Sequence, residues 1–169
     1  MAAVGMLAPL TEAIFFRSFA GLRLRLHTEQ TLVLRPHPRW EWSTEHQWDC
    51  HYFHAQNGRP KKELVKGILE LADAIGLSPY LPTTLQLTLQ ALFEYRNKMF
   101  HHGFEWPTSV RKAFNNRRTI WPEDWFSVAS SGHEPWIFYL TDTFITHCLT
   151  TIDDTVSGIG TFARIELSS

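Results

Sequence analysis

Cysteine is scarce: Cys50 and Cys148 are the only two in 169 residues, too few for a disulfide scaffold, and they form no paired-thiolate metal motif. A reducing cytoplasm is the expected setting. Long apolar runs are also missing, since no stretch approaches the ~18 residues of a membrane span. Met1 to Leu10 lacks the basic region and sustained apolar core of a secretory leader. The chain therefore reads as soluble, with no membrane association and no export. Neither charge sign dominates, with 16 Lys and Arg against 17 Asp and Glu. A net charge of −1 gives no global attraction to nucleic acid, so any RNA contact has to come from a local basic patch. Low-complexity tracts are absent too, and 44% hydrophobic residues supply one compact core, so a single domain over 1–169 is expected.

Helical periodicity dominates what is present. Leu64, Ile68, Leu71 and Ile75 form one stripe between about Lys61 and Leu77, with Gly76 as its stop. A second helix begins near Thr83, with Leu85, Leu89 and Leu92 in register. A third is expected from Pro135, where Ile137, Leu140, Phe144, Ile145, Cys148, Leu149, Ile152 and Val156 make a continuous apolar face that Gly158 and Gly160 bend or end. Thr44 and Gln47 suit a capping box for a helix reaching Asn57 and Gly58. That helix would stack His46, Cys50 and His54 on one face, at the spacing of metal ligands. Packing of Trp48, Tyr52 and Phe53 with solvated histidines is the favoured account, because only Asp49 is at hand as a supporting carboxylate and a fourth ligand would have to come from elsewhere, and no metal or cofactor is assigned. Near the start, Leu22 to Leu26 alternates strictly with arginine and Thr31 to Leu34 follows, which favours a small β-hairpin, although the same residues also line a helix. The expected fold is mainly α, a helical bundle with that hairpin as its only β element.

The chemistry concentrates at the end of the second helix, in Tyr95, Arg96, Asn97, Lys98, Met99, Phe100, His101, His102 and Gly103. Arg96 falls in the apolar stripe. Asn97 and His101 lie one turn apart on a neighbouring face, about 100° round from Arg96. Polar groups on a packing face are costly unless they pair across an interface or serve a site. An arginine and histidines near a helix C-terminus also suit the negative end of its dipole, so position alone leaves both readings open. Spacing alone is permissive as well, because Arg39 to His46 repeats it. Arg96 differs in having Asn97 immediately after it, late in a helix closed by Gly103.

An arginine followed by a polar residue, with a histidine four to six intervening residues after the arginine, resembles the signature of the HEPN superfamily, the higher eukaryotes and prokaryotes nucleotide-binding domains. The likeness is close over about a dozen residues and loose over the helical layout. It implies a metal-independent endoribonuclease acting on single-stranded RNA as a homodimer, with Arg96 and His101 as the functional pair, Asn97 in the polar position and His102 as an equally spaced alternative. One subgroup carries a tyrosine two residues after the motif histidine as an adenylate acceptor. Gly103 and Phe104 stand at that distance from His101 and His102, so such control does not carry over. The likeness also implies a prokaryotic defence or toxin role, with an antitoxin or sensor on a separate chain. An inactive relative that binds a nucleotide or a protein partner is the other member of this set.

The residue types suit the reaction. Cleaving RNA through its own 2′-hydroxyl needs a base, a proton donor for the departing 5′-oxygen and cations at phosphorus. Imidazole does either proton job near neutral pH, and guanidinium grips two phosphate oxygens. Candidate phosphate contacts are Lys98, Arg111, Lys112, Arg117 and Arg118. The last four are interleaved with Trp106, Trp121 and Trp125, as a single strand offering phosphates and bases requires; a surface helix from Ser109 to Arg118 with a solvated basic face is the alternative.

Overall fold

The computed structural model describes residues 2–29, 34–55 and 57–166. Among them the elements run α1 (Ala2–Glu29), α2 (Thr44–Gln47), β1 (Tyr52–His54), β2 (Pro60–Lys62), α3 (Leu64–Ala74), α4 (Leu85–His102), α5 (Thr108–Arg117), β3 (Phe126–Ser131), β4 (Glu134–Leu140) and α6 (Asp142–Glu166). The fold is mainly α, with two small antiparallel sheets, β1–β2 and β3–β4. None of the described helices is long and apolar enough to cross a membrane. The chain forms two compact units, Met1–Pro9 with Leu87–Thr151 and Leu10–Gln86 with Ile152–Ser169.

Three local expectations are corrected. Leu22 to Leu26 continue α1 in place of a strand, and residues 31–33 of the supposed partner lie outside the described set. Thr11, Phe15, Phe19 and Leu22 explain the helix: they recur every three or four residues and are all buried, so the longer helical period outweighs a five-residue alternation. The helix expected from Thr44 stops after one turn, and Tyr52 to His54 pair with Pro60 to Lys62 instead. The third correction concerns Pro135, which sits in β4, so α6 starts only at Asp142 and then runs through both glycines to Glu166. Gly158 acts as a contact, since a Cβ there would lie 2.0 Å from the Tyr80 carbonyl oxygen. Beyond it Phe162 packs edge-on against Tyr80 at 5.5 Å, and the Tyr80 hydroxyl donates to Glu166 at 2.7 Å.

In the unit built from Leu10–Gln86 and Ile152–Ser169, the organising group is Arg39, whose side chain is fully buried. Its Nε donates to the Gln47 carbonyl at 2.6 Å, Nη1 to the Tyr52 carbonyl at 2.8 Å, and Nη2 to the carbonyls of Asp49 at 2.5 Å and His46 at 3.4 Å. Glu70 on α3 closes the arrangement with an ion pair at 3.0 Å. These carbonyls belong to the stretch in which a longer α2 was expected, and they turn toward Arg39 instead. The second Glu70 oxygen accepts from the His54 backbone N–H at 2.6 Å. Gly67 lets α3 approach the same loop, because a Cβ there would meet the Cys50 carbonyl oxygen at 2.1 Å.

The other unit is centred on aromatic rings. Phe114 of α5 is fully buried and touches Tyr95, Trp106, Trp121, Phe126 and Phe138, with centroids 4.9 to 6.2 Å away. The β3–β4 hairpin pairs Phe126 with Leu140 and Val128 with Phe138, delivering two of those rings to one face. Tyr95 ties α4 to this core by donating its hydroxyl to the Phe138 carbonyl at 3.1 Å.

Replacing Arg39 by Ala strands four carbonyls and the Glu70 carboxylate, and is expected to cost about 3–5 kcal/mol in urea unfolding. Glu70→Gln keeps part of the hydrogen bonding and should cost less than half as much.

Candidate functional site

The motif residues occupy the last two turns of α4. Gly103 adopts φ 63° and its N–H donates to the Met99 carbonyl at 2.9 Å, so the helix ends in the left-handed cap that glycine favours. Trp106 then folds back, donating Nε1–H to the Gly103 carbonyl at 3.0 Å and stacking on Phe138 at 5.4 Å. The helix end is thereby fixed at both sides.

Arg96 and His101 are five positions apart, so their side chains leave the helix about 140° apart. Arg96 lies over two rings, its guanidinium carbon 5.2 Å from the Phe93 centroid and 5.7 Å from that of Phe100. It forms part of the wall of an apolar cavity of about 520 Å³, together with Tyr95, Phe100, Phe104, Tyr139 and Asp142. Asn97 and His101 are exposed and share the other face; His102 is half-buried, its ring 6.3 Å from that of His101. His101 takes no part in the cavity wall. The cavity rim is also where large apolar side chains reach solvent, Phe100 being 72% and Phe104 58% exposed.

The competing match at Arg39 and His46 is resolved by burial. Arg39 spends its donors on the fold, as described above, and burial pulls its pKa down against the opposing contact with Glu70. A guanidinium in that condition cannot receive a phosphate. Of the two matching arginines, Arg96 borders the cavity described above.

The five candidate phosphate contacts are less free than their spacing implies. Lys98 is half-buried on α4. Arg111 is only 8% exposed, donates to Thr108 Oγ1 at 3.0 Å and sits 4.5 Å over the Trp136 ring. Lys112 pairs with Glu134 at 2.9 Å and Arg117 with Glu94 at 3.2 Å. Arg118 donates to Asn115 at 3.0 Å and to the Phe126 carbonyl at 3.3 Å. An RNA phosphate would have to compete with Glu134 and Glu94 for two of these cations.

The expected ligand face of His46, Cys50 and His54 does not form, because the three fall in α2, a turn and β1. His46 packs on Tyr52 at 4.4 Å and His54 stacks on Trp42 at 5.7 Å, which makes both aromatic packing groups. Asp49, Cys50 and His51 do bring ligand atoms within 4.8 Å of one another. Two of these three donors are already engaged, Asp49 Oδ1 lying 2.6 Å from His51 Nδ1 and Glu12 Oε1 3.0 Å from His51 Nε2.

No family model matches the chain, and no curated protein or solved structure matches it either.

Sequence reasoning missed the cavity and a clamp around His51. Asp49 Oδ1 accepts from the His51 backbone N–H at 2.9 Å and lies 2.6 Å from Nδ1, while Nε2 faces Glu12 Oε1 of α1 at 3.0 Å. A neutral imidazole has one N–H and satisfies one of these carboxylates; the imidazolium satisfies both. Burial alone would lower the His51 pKa, but the hydrogen bonds to Glu12 and Asp49 outweigh it and raise the value. Nothing local in the sequence marks Glu12, which lies 39 positions away.

A raised folded-state pKa contributes stability that is fully present below the unfolded value of about 6.5 and lost as pH climbs through the folded one. His51→Gln is therefore expected to lower the melting temperature at pH 5.5 and to matter little at pH 9, the effect amounting to about 1 kcal/mol or less for this partly exposed group. The thiols give a second check. With Cys50 and Cys148 both pushed up to about 12 by burial, neither should react with a thiol reagent at pH 8 until the protein is unfolded.

Proposed function

We propose that the chain is a metal-independent endoribonuclease of the HEPN type, cleaving single-stranded RNA at a composite site formed by two copies. The observation carrying this reading is the placement of Arg96 at the wall of an apolar cavity, with Asn97 and His101 on a separate exposed face of the same helix end. Within one copy the guanidinium and the imidazole diverge. A twofold axis beside the C-terminus of α4 sets the His101 of each copy near the Arg96 of the other, and the exposed Phe100 and Phe104 supply apolar surface for that contact.

In this site one His101 takes the proton from the ribose 2′-hydroxyl as its oxygen bonds to phosphorus. The bond from phosphorus to the 5′-oxygen breaks, and the second His101, as imidazolium, gives that oxygen a proton. The products are a 2′,3′-cyclic phosphate and a 5′-hydroxyl. Both Arg96 side chains hold the non-bridging oxygens as charge builds there, and Asn97 orients the neighbouring ring or the phosphate. His101 is preferred over His102 because it is exposed and one turn from Asn97. The setting implied by the HEPN resemblance is cytoplasmic, in prokaryotic defence or as a toxin restrained by a separate antitoxin or sensor protein.

The internal pairing of Lys112, Arg117 and Arg118 favours a second reading, an interaction module that keeps the dimer and cleaves nothing. Arg96 separates the two. Purified protein incubated with labelled single-stranded RNA in EDTA is expected to leave 2′,3′-cyclic phosphate ends. Arg96→Ala and His101→Ala, confirmed as dimers by light scattering, should each lose at least about 100-fold in rate. Absence of cleavage across varied RNAs, or full activity in both variants, removes the nuclease reading.

A further inference from the structure

We infer that the exposed edge made by β2 and the first turn of α3 is a contact surface for the phosphate backbone of single-stranded RNA, carried by Arg59, Lys61 and Lys66. The choice of RNA rests on the nuclease reading above; the anion-binding surface rests on its own charges. Residues 59–66 hold four of the chain's 16 Lys and Arg and one of its 17 Asp and Glu, so a nearly neutral chain concentrates positive charge on one short stretch.

Register gathers three of these cations on one face. Phe53 lies opposite Lys61 in the β1–β2 pair, and the Ala55 N–H donates to the Arg59 carbonyl at 3.2 Å, which continues the same register by one step. Side chains two positions apart share a face of a strand, so Arg59 and Lys61 stand on the side of Phe53, about 7 Å apart along the chain, close to the spacing of successive phosphates on a single strand. Lys66 reaches this side from α3, its Nζ 4.9 Å from the Phe53 ring centroid. Lys62 falls on the opposite face, across from Tyr52. All four cations are exposed.

Two acids near them in sequence are committed elsewhere. Glu63 turns its carboxylate to the N–H groups of Val65 and Lys66, at 3.2 and 3.0 Å. Glu70, one turn beyond Lys66 and at the spacing of a helical ion pair, gives its oxygens to Arg39 and to the His54 N–H. Among the described residues no ion pair joins Arg59, Lys61 or Lys66 to a carboxylate, unlike Lys112 and Arg117, which have Glu134 and Glu94. Lys66 also stands in the first turn of α3, where the helix dipole disfavours a cation. Blunting of an exposed strand edge accounts for Pro60 and a lysine, but not for Lys66, which lies outside the strand. A phosphate backbone meets cations placed in this way without any base contact. A lipid surface fits less well, since it needs apolar side chains beside the charges, and none of the large hydrophobic side chains exposed among the described residues belongs to the hairpin or to α3.

The probe is a fluorescein-labelled oligouridylate with every 2′-hydroxyl methylated, which blocks cleavage through that oxygen. Its binding to the full-length protein in EDTA is followed by fluorescence anisotropy across a salt series. Three phosphate contacts give a slope of log K against log salt of about −2, and Arg59→Gln, Lys61→Gln and Lys66→Gln are each expected to reduce it by about 0.7. The triple variant should bind at least about tenfold more weakly, with circular dichroism unchanged. Lys62→Gln should change the slope less than Lys61→Gln, and Lys112→Gln combined with Arg117→Gln should not change it. A slope that the triple variant leaves intact, or that Lys62 or the α5 pair controls as strongly, overturns the surface even if RNA is cut. Variants that aggregate while binding as before, the mark of edge protection, overturn it too, as does tighter binding to vesicles of equal parts phosphatidylserine and phosphatidylcholine than to the oligonucleotide. Unmodified RNA is assayed for cleavage in parallel. Binding that the triple variant loses, with no cleavage of unmodified RNA by the wild type, upholds the surface and removes the nuclease reading. Neither binding nor cleavage removes both.

Discussion

A guanidinium taken wholly out of water has to be met by acceptors on every side, and the loop from Pro38 to His54 is shaped by that demand from Arg39. Four backbone carbonyls and one carboxylate turn toward it, and each was withdrawn from some other use. The Gln47 carbonyl is taken by Arg39 Nε at 2.6 Å, and the chain leaves the helix at Trp48 and reaches β1. Glu70 carries the constraint onto α3, where its other oxygen holds the backbone of His54. Gly67 lets that helix come close enough for the contact to form. A hydrophobic residue at position 39 would fill the space, but it would give the carbonyls no reason to converge.

The second unit meets its own requirement by different means. Its core is a cluster of rings with almost no hydrogen-bonding capacity, so position is set by shape and by a few polar tips. The Tyr95 hydroxyl and the Trp106 indole N–H are such tips, and both act on the last turns of α4. The helix end that carries Arg96 and His101 is thus held by groups whose large apolar bodies are committed to the core. A site on this scaffold gains precision without spending its own polar groups on the fold.

Long-period patterns were legible in the sequence and short ones misled. The stripe of α3 and the end of α4 at Gly103 follow from residue spacing and backbone preference, both local properties. Leu22 to Leu26 failed because five alternating residues cannot compete with burial of Thr11, Phe15, Phe19 and Leu22 along one helix. The helix expected through His54 failed because Arg39 acts from outside its span. Pro135 was read as a helix start although Trp136 to Leu140 already fit a strand facing Val128 and Phe126. At the candidate site, the residue types and their place at a helix end were visible. The cavity was not, since it depends on Tyr139 and Asp142 more than forty positions further on.

Arg39 and Arg96 satisfy the same spacing to a following histidine and have opposite fates. Their surroundings differ. Arg39 is met by carbonyls at hydrogen-bond distance, so its charge is spent on the loop it organises. Arg96 lies over the faces of Phe93 and Phe100, contacts that favour a cation. A phosphate approaching Arg39 would have to displace the fold. The helix that presents Arg96 in this way also turns His101 about 140° away, so in the nuclease reading the partner of each comes from another copy. Dimerisation, in the nuclease reading, is then a consequence of helix geometry.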